Sequence, residues 1–141
     1  MTDDSYAGDV TPKKAWEILA EEPGAVLVDV RTDAEWGFVG IPDLSEHGKD
    51  LVRVPWQQFP SMAMNADFAG QVAANGVDRS ATVFFLCRSG QRSHAAAIAM
   101  TAAGFGPCYN VANGFEGPSD AECHRGTVAG WKFDGLPWRQ G

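Results

Sequence analysis

Residues 81–86, Ala-Thr-Val-Phe-Phe-Leu, run without a charge into Cys87-Arg88-Ser89-Gly90-Gln91-Arg92-Ser93. In residues 94–103, which follow, six of ten are alanine, and Gly104 comes next. A short run that is apolar at successive positions suits a strand covered on both faces, and such cover is the mark of a parallel sheet. The alanine-rich stretch is a helix with a glycine stop. Between the two lies a polar turn. In open α/β sheets ligands bind beyond the carboxyl ends of strands, and Cys87 stands at such an end.

The rest of the chain repeats the alternation. Thr11-Pro12 reads as an N-cap and first-turn proline. A helix continues over 13–22, with Trp16, Leu19 and Ala20 on one face, until Pro23-Gly24. Residues 25–30, Ala-Val-Leu-Val-Asp-Val, form a second buried strand, and 51–54 a shorter one stopped by Pro55. Residues 65–75 read as a helix carrying Phe68 and Val72 and closed by Gly76; 108–111 is a last strand. Strands alternating with helices predict an α/β fold with a parallel sheet and right-handed crossovers. Residues 1–10 are expected to form a flexible polar arm and 11–141 a single domain. The Gly- and Pro-rich tail from Gly114 is expected to be irregular, with Trp131 and Trp138 anchoring it.

Totals narrow the function. A chain of 141 residues buries a real core without a disulfide or metal staple. Eighteen acids against eleven Lys and Arg give a net charge of −7, a poor basis for binding nucleic acid or membrane surfaces. No apolar run approaches the roughly 20 residues that span a bilayer, and the acidic N-terminus does not read as a signal peptide. Three cysteines without a Cys-x2-Cys spacing argue against a disulfide framework or zinc finger and point to a reactive thiol in the cytoplasm.

Residues 79–115 hold no Asp or Glu and three Arg, a window of +3 in a chain of −7. The turn after Cys87 sets backbone amides and a helix N-terminus beside Arg88 and Arg92, a set of groups suited to an anion. Helix N-termini and neighbouring cations favour thiolate over thiol. The loop is therefore expected to make Cys87 a nucleophile without an adjacent general base. Asp29 and Arg31 alternate on an apolar strand and, with Glu35, read as a structural network near the site. Cys108 reads as a small core residue and Cys123 as an exposed spare thiol. Trp36, Phe59 and Met62 are read as core in preference to a substrate entrance.

Together these segments resemble the rhodanese family of sulfurtransferases. The likeness runs from about Val10 to Trp138. It is carried by Leu27-Val28-Asp29-Val30-Arg31 with Glu35-Trp36, by Cys87-Arg88-Ser89-Gly90-Gln91-Arg92-Ser93, by Tyr109-Asn110-Val111 with Asn113-Gly114-Phe115, and by Gly130-Trp131 with Gly135-Leu136-Pro137. Where the family often has Gly-His-Ile-Pro-Gly-Ala, this chain has Val39-Gly40-Ile41-Pro42-Asp43-Leu44. The resemblance implies a five-stranded parallel sheet with helices on both faces and the loop between a central strand and a helix. It also implies sulfur transfer through a Cys87 persulfide. Arg88, Ser89, Gly90, Gln91, Arg92 and Ser93 would bind the substrate: amides hold the terminal sulfur, guanidinium groups the donor's oxyanion. The donor would be a small anion such as thiosulfate, the acceptor a thiol or cyanide, and no metal or other cofactor is implied. A sulfur-trafficking protein is a further expected partner.

Other readings of the same residues remain. Tyrosine phosphatases and arsenate reductases use Cys-x5-Arg, which would need Arg at position 93, where this chain has Ser. A persulfide carrier or binding module would keep the same loop. A Cys–His hydrolase would need His94, His47 or His124 as base. The segment 117–129 is longer than a minimal domain of this kind needs.

Overall fold

The computed structural model describes residues 5–58 and 61–140. In chain order the elements are β1 (Gly8–Val10), α1 (Pro12–Glu21), β2 (Val26–Asp29), α2 (Asp33–Val39), β3 (Ile41–Pro42), a 3-10 turn (Ser45–His47) and β4 (Val52–Arg53). Then come β5 (Gln57–Gln58), β6 (Ala63–Met64), α3 (Phe68–Ala74), β7 (Val83–Leu86), α4 (Gln91–Ala102), β8 (Cys108–Val111) and β9 (Trp138–Arg139). Five strands form one parallel sheet in the order β1-β8-β7-β2-β4. The α/β reading of the sequence is thus the fold observed. β7 lies at the centre, with Phe85 level with Val28 on one side and Asn110 on the other.

The β7 run is apolar throughout because each of its faces meets a different core. Val83 and Phe85 face a cluster with Val28, Phe68, Val72, Ala96, Ala97 and Met100, under α3 and α4. Phe84 and Leu86 face the opposite cluster with Ala15, Leu19, Leu27, Phe115 and Trp131, under α1. Alternate side chains of a strand point to opposite faces, so two covered faces demand an unbroken apolar run. Lys49 closes the end of α1: its Nζ donates to the carbonyls of Glu22, Pro23 and Ala25 at 2.8, 3.0 and 2.6 Å.

Several elements differ from the sequence reading. Residues 8–10 are not part of a loose arm: they form β1 and pair with β8. A parallel edge strand of three residues is held by its partner, not by its own pattern. α2 was not expected. Its helix starts at a capping box in which Thr32 Oγ1 and Glu35 satisfy each other's backbone amides. α3 begins at Phe68, later than the reading from 65, because Asn65 turns inward and donates to the Pro55 carbonyl at 2.9 Å. α4 begins at Gln91, three residues early. In the tail Trp131 is fully buried and Trp138 is 42% exposed, so only the first anchors it deeply.

The chain leaves the sheet after Phe115 and returns where it left: the Trp131 amide donates to the Gly114 carbonyl (2.9 Å) and the Lys132 amide to that of Phe115 (3.1 Å). The excursion between is a compact Ω-type loop. Asp120 organises it, accepting from the amides of Glu122 and His124 at 2.9 Å each.

Candidate active site

Cys87 follows β7 directly. Its side chain is sunk, with 1% of the residue exposed. The sulfur meets two polar groups: the Gly90 amide donates to Sγ at 3.1 Å, and Ser93 Oγ lies 3.2 Å from it. The chain turns back over the sulfur because Gly90, the N-cap of α4, has φ +113°, a conformation open to glycine and strained for other residues. Thr11 and Thr32 cap α1 and α2 with their side chains, whereas the N-cap of α4 is Gly90, which makes no side-chain cap bond. The first amides of α4 are therefore left facing the loop with the helix's partial positive charge. Arg88 is exposed, and among the described residues no carboxylate pairs with it.

Arg92, expected from the sequence to bind the donor's anion, is already engaged with a carboxylate. It forms a bidentate pair with Glu35, Nη1 to Oε1 at 2.6 Å and Nη2 to Oε2 at 2.9 Å. Burial alone pushes the Glu35 carboxyl up, but Arg92 and the bonds from Thr32 outweigh it and hold Glu35 at about 2. The bond to Glu35 raises Arg92 in turn, against burial, with further help from the negative charges of Glu35 and Asp29. Glu35 therefore belongs to Arg92, not to the network of Asp29 and Arg31. Those two form their own buried pair, both fully out of solvent, with Arg31 Nη2 2.6 Å from Asp29 Oδ2 and Nε 2.9 Å from Oδ1. Arg31 also donates to the Gly40 carbonyl at 2.7 Å and lies over the Phe115 ring at 4.3 Å. This pair locks the end of β2 to the α2–β3 connection, where the chain departs from the family's usual pattern.

The loop residues thus divide. Ser89 and Gly90 are half-buried, Gln91 is exposed on the first turn of α4, and Ser93 is fully buried beneath the sulfur. Behind them the turn after β8 braces the loop: the Phe115 amide donates to the Cys87 carbonyl at 2.8 Å, and those of Glu116 and Gly117 to the Arg88 carbonyl at 3.0 and 3.1 Å. Gly114, with φ +58°, sits so close that a Cβ there would come within 2.4 Å of the Cys87 carbonyl oxygen. Sequence reading missed Asn110, whose Oδ1 lies 2.6 Å from Ser93 Oγ, and Asp9, which accepts from Asn110 Nδ2 at 3.1 Å. An amide at an inward position of an apolar strand was the one available sign.

Among the described residues no histidine bonds to Cys87. His94 packs edge-on against Tyr6 with ring centres 4.8 Å apart, and His47 lies 3.8 Å from the Trp16 ring. Cys108 is buried in the core, and burial pushes its thiol up; Cys123 is exposed on the Ω loop. Met62, read as core, is 39% exposed. Trp36 is half-buried, and its Nε1 has no partner among the described residues. Phe59 lies outside the described residues.

Three comparisons bear on this arrangement. The crystal structure of Rv0390 from M. tuberculosis superposes with a TM-score of 0.90 at 53% identity, covering 97% of this chain and 100% of that one. The solution structure of the homodimeric polysulfide-sulfur transferase from Wolinella succinogenes shares the fold, with a TM-score of 0.65 at 22% identity over 99% of this chain and 82% of that one. An uncharacterised Rickettsia conorii protein is 39% identical over 132 residues, 93% of this chain and 96% of its own length. The model of the rhodanese-like domain matches residues 11–121, and with the central strand, the cysteine loop and the braced turn all in place, the chain belongs to the rhodanese-like family.

Proposed function

We propose that the protein is a sulfurtransferase that carries a sulfane sulfur as a persulfide on Cys87. The observation that supports this is the placement of Sγ at the carboxyl end of the central strand, under the Gly90 amide, at the uncapped start of α4. The Cys87 thiolate attacks the outer sulfur of a small anionic donor such as thiosulfate. A new S–S bond forms, the donor's own S–S bond breaks, and sulfite leaves with its electron pair. The negative charge then rests on the terminal sulfur, where backbone amides of the loop stabilise it. A thiol or cyanide takes that sulfur in the second half-reaction and returns the thiolate. Arg88, exposed and without a carboxylate partner among the described residues, meets the donor's oxyanion. Arg92 acts through the loop's electrostatics, since Glu35 holds its guanidinium. A sulfur this recessed favours donors that present one sulfur atom at the end of a narrow group. The Cys-x4-Arg loop is one residue shorter than a phosphatase loop and suits that cargo over a tetrahedral phosphoryl group. The proposed setting is a reducing cytoplasm, and a sulfur-trafficking protein is the proposed alternative to a free anion as donor.

Incubation with thiosulfate is expected to add the mass of one sulfur atom to the intact protein, and cyanide to release it as thiocyanate. Cys87→Ser is expected to take up none. Absence of the adduct together with turnover of an aryl phosphate would overturn the proposal. Uptake from a persulfidated protein but not from thiosulfate would replace the small donor with a protein one.

A further inference from the structure

A line of hydrogen bonds runs from the first strand of the sheet to the sulfur. Tyr6 donates its hydroxyl to Asp9 Oδ1 at 2.8 Å, and Asn110 Nδ2 donates to the same oxygen at 3.1 Å. A carboxylate only accepts, so Asp9 fixes which way the Asn110 amide faces. Its Oδ1 must then point to Ser93, 2.6 Å away, and can only accept. Ser93 has one hydroxyl proton. It lies within reach of both Asn110 Oδ1 at 2.6 Å and Cys87 Sγ at 3.2 Å, and it cannot serve both.

We propose that Asp9 and Asn110 are positioning residues for Cys87, holding the Ser93 proton towards the Asn110 amide and so disfavouring negative charge on Sγ. Two states of Cys87 leave Sγ uncharged: the thiol, whose S–H can donate to Ser93 Oγ, and the persulfide, whose charge sits on the outer sulfur. The relay therefore favours the loaded protein over the empty thiolate. This rests on the reading that Cys87 carries sulfur. Among the described residues the other charged groups around the loop include Arg88 on the loop itself, Arg92 of α4 with its partner Glu35 of α2, the Asp29–Arg31 pair at the end of β2, and Glu116, whose amide donates to the Arg88 carbonyl. His94 lies on the Tyr6 side. None of the others bonds to Asp9; Tyr6, which packs on His94, does, and the bond raises its hydroxyl's pKa.

The test is Asp9→Ala, which removes the acceptor at an exposed position. With no acceptor at position 9, Asn110 is free to turn and offer Nδ2 to Ser93 Oγ, releasing the Ser93 proton to Sγ. Alkylation of Cys87 by iodoacetamide, followed by peptide mapping to separate it from Cys123, is measured across pH. The profile is expected to move to lower pH, with the rate at pH 7 rising about three- to tenfold. Introducing Ser93→Ala is expected to abolish the effect of Asp9→Ala, as a double-mutant cycle requires of a coupled set. A change caused by the lost carboxylate acting through space would instead persist without Ser93 and would vanish in about 1 M salt. No change, or either of those two behaviours, overturns the relay. Sulfur uptake by the unaltered protein is read separately by intact mass. Uptake with an unmoved alkylation profile sinks the relay alone; a moved profile without uptake sinks its link to the persulfide and the sulfurtransferase reading with it.

Discussion

Two ion pairs sit within a few residues of each other and do different work. Asp29 and Arg31 are both fully buried. Taking away one member leaves an uncompensated charge in the interior, so Asp29→Ala is expected to lower stability by about 3–5 kcal/mol, read from the urea midpoint. Glu35 and Arg92 are partly exposed, 21% and 18% by side chain, and their pair is worth less, about 1 kcal/mol after solvent screening. Its pH dependence has a definite direction. Glu35 is held at about 2 when folded against an ordinary 4.5, so its contribution is complete above pH 4.5 and disappears as pH falls through 2. Urea titrations are expected to show the unaltered protein losing stability over that window relative to Glu35→Gln. The loop itself was readable in the sequence because its cysteine, glycine and arginines lie within the one stretch from Cys87 to Arg92. The pairing of Glu35 was not, because Arg31 and Arg92 are equally plausible partners until the α2 cap fixes where the carboxylate points.

Elements whose signals are local were legible. Thr11-Pro12 opens α1 where expected, and the apolar runs of β2, β7 and β8 are strands. α2 has no buried residue and carries Gly37 in its interior, so it offers no apolar stripe to read; its cap and the Glu35–Arg92 pair hold it. The turn after β8 shows how one element governs another. It binds the cysteine loop through three backbone bonds, and Gly114 permits the approach. Gly114→Ala is expected to push the loop away and impose a left-handed conformation on alanine, at about 1–2 kcal/mol for the conformation alone. Persulfide formation from thiosulfate, followed by intact mass, should fall by an order of magnitude or more while the far-ultraviolet circular dichroism stays that of the parent.

On the scale of the whole molecule, the sheet closes with its first strand beside its last. β1 covers the edge of β8, and the flanking bonds from the Ala7 amide to the Cys108 carbonyl and from the Ala112 amide to the Val10 carbonyl, 2.8 Å each, secure it. Deleting residues 1–10 is expected to lower stability by about 2–4 kcal/mol, at about 1 kcal/mol for each backbone bond lost. The bared strand edge should also promote association, visible as light scattering. No sequence pattern marks Gly8-Asp9-Val10 as a strand, because its stabilisation lies with a partner a hundred residues on.

That separation has a temporal meaning. Asp9 and Asn110 stand 101 positions apart, and at synthesis speeds of about 5–20 residues per second the opening strand waits roughly 5–20 s for its neighbour to be made. Only for the last part of that interval, the 23 positions from Cys87 to Asn110 or about 1–5 s at the same speeds, does a growing polypeptide hold its thiol without the restraint that the finished sheet imposes. A nascent chain halted between Cys87 and Asn110 is left with an ungoverned sulfur.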